Sequence, residues 1–243
     1  MFESAKKKDK VKFLTSCLTI YHDQNSGLDI INYTVDYEFE ELLSLINDFI
    51  DFEKNDSIQQ QTKLRLFLFI YCHVIEVSLI YLVLHNMLNT IRGADYTAVI
   101  KFKTEIGKEK EATLSYKKIE IIKENAKNTN VNIAAVFEEF FDNRLRNAFV
   151  HSDYYIDNSG ELSITEHLSP TSSRIGKKRS GPKIYSFEDA KDKYDKSLLF
   201  LKSFIKVYKS YVREFQDGNS YPTIYGDVFF DIDLGRWRAS KEC

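Results

Sequence analysis

Apolar residues along this chain recur mostly at helical spacing. From residue 36, Phe39, Leu42, Leu43, Ile46, Phe49 and Ile50 mark one face of a helix with acidic residues in its first turn, where the macrodipole favours them, and the polar pair Asn55-Asp56 ends it. Residues 57–91 read as the longest helix, polar at the start and apolar nearly all round from Leu64, with Gly93 as its stop. A third helix is predicted over 131–150. On it Phe137, Phe141, Leu145 and Ala148 form a core stripe, while Glu139, Asn143, Asn147 and His151 follow one another at i, i+4 on the other face. Ser186, with Asp189 three residues on, opens the last long helix as an N-cap. Its stripe of Ala190, Tyr194, Leu198, Leu201, Ile205, Tyr208, Val212 and Phe215 is expected to pack on the helix over 131–150.

Between the helices the period changes. Residues 96–103 alternate and 105–111 contain Gly107, so a small hairpin insertion is predicted near 95–116, followed by a short amphipathic helix over 115–128. Residues 154–156 and 161–165 flank Asp157-Asn158-Ser159-Gly160, a turn composition that predicts a β-hairpin directly after His151. The fold class is mainly α. The chain divides into an N-terminal extension (1–35), a helical domain (36–216) and an aromatic tail (217–243) whose Tyr221, Tyr225, Phe229, Phe230 and Trp237 are expected to dock on the core or on a second subunit.

Composition supports that class: 15 Tyr and 18 Phe stand against 9 Gly and 3 Pro, which favours long helices with aromatic cores over a turn-rich β fold. The formal net charge of −2 excludes a polycation that coats nucleic acid indiscriminately, so any RNA affinity must come from local patches. The 3 Cys have no C-x-x-C spacing, and neither a zinc site nor a disulfide framework follows from them; a reducing cytoplasm fits. Ahead of Cys17 the lysine-rich start lacks an apolar core long enough for an export signal. Residues 66–84 are apolar enough to be weighed as a membrane span. His73 and Glu76 near their centre, and the need of the other helices for an apolar surface, favour a surrounded core helix. If buried, that pair needs partners, and Glu76 is placed to orient Arg146 or His151 across a bundle.

The candidate chemistry lies in 143–155, NRLRNAFVHSDYY. A histidine at a helix C-terminus can give or take a proton near neutrality, and an arginine one and a half turns earlier offers a planar fork for phosphate oxygens. The stretch Arg146, Asn147 and three further residues to His151, followed by Ser152-Asp153-Tyr154-Tyr155, resembles the signature of the HEPN family of small helical domains, over about residues 36–216. The HepT-type toxins carry a Tyr two residues after the His; here that position is Asp153, with Tyr154 next.

The resemblance implies an antiparallel helical bundle and a metal-independent endoribonuclease of a toxin–antitoxin or phage-defence system. It also implies a homodimer in which both motifs line one cleft, and an antitoxin or defence partner protein such as a nucleotidyltransferase. His151 is then assigned to proton transfer, Arg146 to the charge developing on phosphorus and Asn147 to orienting either, with Asn143, Asp153, Tyr154 and Glu76 in support. Arg174, Lys177, Lys178, Arg179 and Lys183, in the most basic stretch outside the N-terminus, are candidates for RNA contact. No cofactor and no metal are expected, because the five His do not pair at ligand spacing. The alternatives are a non-catalytic module of the same type, for RNA binding, dimerisation or partner docking, and a membrane-associated helical protein built on 66–84.

Overall fold

The computed structural model describes the backbone of residues 1–23, 27–30, 32–164 and 183–239, and the side chains of 1–20, 39–164 and 183–239. It is mainly helical, 58% of residues, with small antiparallel sheets. Two compact units are distinguished, one made of Met1–Ser44, Val77–Ala135 and Lys202–Cys243, the other of Leu45–Glu76 and Val136–Leu201.

In the first unit the N-terminal segment is part of the core. Helices α1 (Phe2–Lys8) and α2 (Lys10–Leu18) bury Phe2, Phe13, Leu14, Cys17 and Leu18, and Asp9 caps α2 by accepting from Lys12 N at 3.0 Å. The lysines there are not simply solvated: Lys6 pairs with Glu214, and Lys12 donates to Ala94 O at 2.9 Å. A two-stranded ribbon, β1 (Ile20–Asp23) and β2 (Gly27–Ile30), leads into α3 (Asn32–Glu53). Both α1 and α2 pack on α5 (Ser78–Arg92), which buries Ile80, Tyr81, Leu84, Met87 and Leu88 and ends at Gly93 in the left-handed conformation, φ 75°. The predicted hairpin is present as β3 (Lys101–Lys103) and β4 (Glu109–Glu111), ahead of α6 (Ser115–Ala126). The aromatic tail folds as an antiparallel meander of β8 (Ser220–Thr223), β9 (Gly226–Asp231) and β10 (Arg236–Ala239), with Val228 and Trp237 buried and Ile224 N donating to Thr15 Oγ1 at 3.0 Å.

The second unit contains α4 (Gln60–Ile75), α8 (Asn143–His151) and most of α7 (Ile133–Phe140). It also holds a sheet of order β5 (Tyr154–Ile156), β6 (Leu162–Ile164), β7 (Lys183–Tyr185), and the N-terminal part of α9 (Phe187–Arg213). Its core is aromatic: Phe67 stacks on Tyr194 at 4.8 Å and both meet Phe49 edge-on, while Phe140 stacks on Phe200. All eight apolar positions read for the last helix are buried, seven on α9 and Phe215 just past its end, and Ser186 and Asp189 form the reciprocal cap, Asp189 N donating to Ser186 Oγ at 3.0 Å and Ser186 N to Asp189 Oδ2 at 3.2 Å.

Two predicted helices are each two. The helix over 57–91 breaks between Ile75 and Ser78, where Val77 leaves the helical region at φ −66°, ψ 88°. Consequently no single helix among the described residues is long and apolar enough to cross a membrane. The helix over 131–150 breaks at Phe141-Asp142, because Asp142 adopts extended backbone (φ −129°, ψ 100°) and its carboxylate caps a new helix, accepting from Arg144 N at 3.0 Å and Leu145 N at 3.1 Å. Phe140 rather than Phe141 is therefore the core residue, and Glu139 leaves the polar stripe to pair with Lys196 on α9. Phe137 and Phe140 make α7, not α8, the partner of α9; α8 lies along α4.

Candidate functional site

The site begins at the helix break. Asp142 is a half-buried junction: besides capping α8, it accepts at Oδ2 from Lys183 Nζ and from Tyr185 OH, each at 2.6 Å, which fixes β7 to the start of α8. The Tyr71 hydroxyl, from α4, accepts from Asp142 N at 2.9 Å and donates to Phe140 O at 3.0 Å. Burial alone would raise the Asp142 carboxyl, but the donors Lys183, Tyr185 and Leu145 N outweigh it and hold it below the usual range. Burial, with Asp142 adjacent, pushes the Tyr185 phenol up, so it stays a neutral donor.

One turn into α8, Arg146 reaches the end of α4. Its Nε and Nη2 both donate to Glu76 Oε1, at 2.6 and 2.5 Å, and Nη1 donates to Asn147 Oδ1 at 2.8 Å. The side chain is 16% exposed and that of Glu76 38%. Three of the five guanidinium N–H groups are thus engaged, one on each nitrogen; the other two, one on each Nη, have no partner among the described residues. Cys72 packs beneath, 3.9 Å from Arg146 O, its thiol pushed up to about 12 chiefly by burial.

His151 is the last residue of α8, exposed, with no side-chain partner among the described residues. The helix stops there because Ser152 turns left-handed (φ 58°) and Asp153 N closes on Ala148 O at 2.8 Å. Five residues of helix separate Arg146 from His151 by about 7.5 Å of rise and about 140° of rotation. Asn147 sits between, one position on from Arg146 and one turn before His151, and it is toward Asn147 that the guanidinium is drawn. Tyr154 stacks on Phe149 at 5.5 Å, and β5, β6 and the Asp157 turn, where Asp157 Oδ1 accepts from Ser159 N and Glu161 N at 2.9 Å each, form the predicted hairpin.

Of the sequence-predicted site residues, Arg146, Asn147 and Glu76 are brought into contact; Asn143 opens α8 and Asp153 and Tyr154 follow His151, all half-buried. His73 is exposed on α4 and stacks on Phe69, so it does not form a buried pair with Glu76. Lys183 is tied to Asp142 and lies over the Tyr185 ring at 4.4 Å, with its side chain 42% exposed. Arg174, Lys177, Lys178 and Arg179 lie outside the described residues. Asp142, Lys183, Tyr185 and Tyr71 as one junction were not read from the sequence; the available signal was a strong N-capping residue, Asp142, inside an otherwise helical pattern. Among the described residues no group of three His, Cys, Asp or Glu is placed to hold a metal ion. Comparison of the chain with protein-family models, with curated proteins and with solved structures finds no match.

Proposed function

We propose that this protein is a HEPN-type, metal-independent endoribonuclease acting in a toxin–antitoxin or phage-defence setting. The observation that carries the reading is the guanidinium of Arg146, oriented by Glu76 and Asn147, one and a half turns before the exposed imidazole of His151. In the proposed reaction a base takes the proton of an RNA 2′-hydroxyl and that oxygen attacks the adjacent phosphorus. The bond from phosphorus to the 5′-oxygen breaks, and the departing oxygen takes a proton, leaving a 2′,3′-cyclic phosphate and a 5′-hydroxyl. His151 serves one proton transfer, worth about 10² to 10⁴ in rate, and the free N–H groups of Arg146 meet the charge on the phosphoryl oxygens. A homodimer with both motifs at its axis supplies the second imidazole, and an antitoxin or defence partner restrains the activity.

One observation favours a second reading: the ion pair with Glu76 is also what a non-catalytic module would use to join α8 to α4. The experiment that separates them incubates purified protein with RNA in EDTA and compares wild type with Arg146→Ala and His151→Ala. Chelator-resistant cleavage lost in both variants, with cyclic-phosphate ends, is expected. Equal behaviour of all three proteins overturns the nuclease.

A further inference from the structure

We infer that the exposed face of α4 is the track along which single-stranded RNA enters the site, with a base stacked on Phe69 and His73; this rests on the ribonuclease reading above. Arg65, Phe69, His73 and Glu76 fall within about 80° of the α4 circumference. The first three are exposed, Phe69 at 45%, an unusual degree for a phenylalanine on a helix whose Phe67, Leu68 and Ile70 are fully buried. Phe69 is not a stray apolar residue, since its ring lies on the His73 imidazole with centroids 5.5 Å apart and planes inclined by 26°. The pair is a ready-made aromatic platform, and a nucleobase extends such a stack without regard to its identity.

The platform is flanked by cations. Arg65, one turn before Phe69, is exposed and has no side-chain partner among the described residues. At the other end Glu76 holds Arg146, and Cys72, next to the platform on α4, touches the α8 backbone at Arg146 O, so α8 runs directly beside the stripe. From Phe69 to Glu76 is seven residues, about 10 Å of helix rise, the length of about three stacked nucleotides. A base on the platform therefore leaves a phosphate one to three nucleotides away within reach of Arg146, and Arg65 meets the backbone on the far side. Double-stranded RNA, with its bases stacked on one another, offers nothing to the platform. The substrate class that fits is an unpaired strand or loop.

The test measures binding and cleavage separately. A fluorescein-labelled single-stranded RNA with 2′-O-methyl groups throughout has no free 2′-hydroxyl for this chemistry, so its anisotropy reports affinity alone. Phe69→Ala is expected to weaken that affinity about tenfold, Arg65→Ala to weaken it and flatten its salt dependence, and Phe69→Trp to bind as wild type with indole fluorescence quenched by RNA. A duplex of the same sequence is expected to bind equally to wild type and Phe69→Ala. Unchanged affinity in Phe69→Ala together with an unquenched Phe69→Trp overturns the track, even where unmethylated RNA is still cut. A Phe69-dependent affinity in a protein that cuts nothing overturns the nuclease and leaves the track. A change of native mass in Phe69→Ala with RNA affinity intact assigns the face to a protein contact and also overturns it.

Discussion

Removing the Asp142 carboxylate tests whether the junction, more than the helical propensity of 143–151, holds α8 in place. Two substitutions divide its contributions. Asp142→Asn keeps an oxygen able to cap α8 but removes the charge facing Lys183 and Tyr185; Asp142→Ala removes both. Loss of an N-cap costs about 1 kcal/mol. The pair with Lys183, whose side chain is 42% exposed, contributes about 1 kcal/mol or less after solvent screening. The buried Tyr185 hydroxyl, left without its charged acceptor, costs about 1 to 3 kcal/mol. The expectation is a loss of about 3 to 4 kcal/mol for Asp142→Ala and about half of that for Asp142→Asn, read from urea unfolding at pH 7 with the slope unchanged.

The pH dependence supplies a sharper check. Asp142 is held below the ordinary carboxylate range, so its native contribution is complete above the unfolded value, about 3.9, and disappears as pH falls through the folded one. Wild type and Asp142→Asn should therefore differ at pH 7 and converge in stronger acid. Equal stability at pH 7, or a gap that persists unchanged below pH 3, would refute the assignment of the carboxylate as the organising charge.

Tyr71→Phe should cost about 1 to 3 kcal/mol in urea unfolding, since the buried hydroxyl satisfies both Asp142 N and Phe140 O across the helix break; a loss under about 0.5 kcal/mol would count against that role. His85 is buried, with ring nitrogens 3.1 and 3.3 Å from the side-chain amides of Asn89 and Asn125, and burial, assisted by Arg92, lowers it to about 4. The unfolded chain then binds more protons between about pH 6.5 and 4, so stability is expected to fall as pH drops through that window. His85→Gln should flatten this slope; an unchanged slope in titrated unfolding would remove His85 as its source. Glu76→Gln takes away the charge beside Arg146 while keeping an acceptor, and is expected to tighten binding of uncleavable RNA several-fold while slowing cleavage of RNA.

The helical class, the apolar stripe of α9 with its capping box, and both inserted hairpins were legible because each depends on local period or turn chemistry: Asp157 and Gly160 need no distant partner to make their turn. The two helix breaks were not. Neither carries a Gly or Pro; Asp142 is a capping residue by type, but Lys183, Tyr185 and Tyr71, which complete its bonding at the break, are distant in sequence. Val77 has no local breaker at all. Nor was the place of the N-terminal extension legible, since Phe2, Phe13 and Cys17, on either side of its lysines, are core residues of a unit whose other parts come from residues 77–135 and 202–243. At the site, Arg146, Asn147 and Glu76 were named from spacing and composition, but that Glu76 takes two guanidinium N–H groups on one oxygen depends on how α8 lies along α4, which no period records.

That ion pair bears on what Arg146 can do. A guanidinium already facing a carboxylate attracts a singly charged phosphodiester weakly, and with Glu76 more than a third exposed the penalty is that of a surface pair, about 1 kcal/mol or less. Orientation acts in the other direction: Glu76 and Asn147 fix the plane of the fork before substrate arrives, so the two remaining N–H groups need not be ordered when charge builds up on phosphorus. Because that charge is larger in the transition state than in the bound diester, the partial neutralisation by itself costs the transition state more than the ground state, so slower cleavage by Glu76→Gln rests on the lost orientation outweighing the charge removed. A purely structural ion pair has no such asymmetry: with Glu76→Gln its signature would be lower stability, with RNA affinity and cleavage both unmoved.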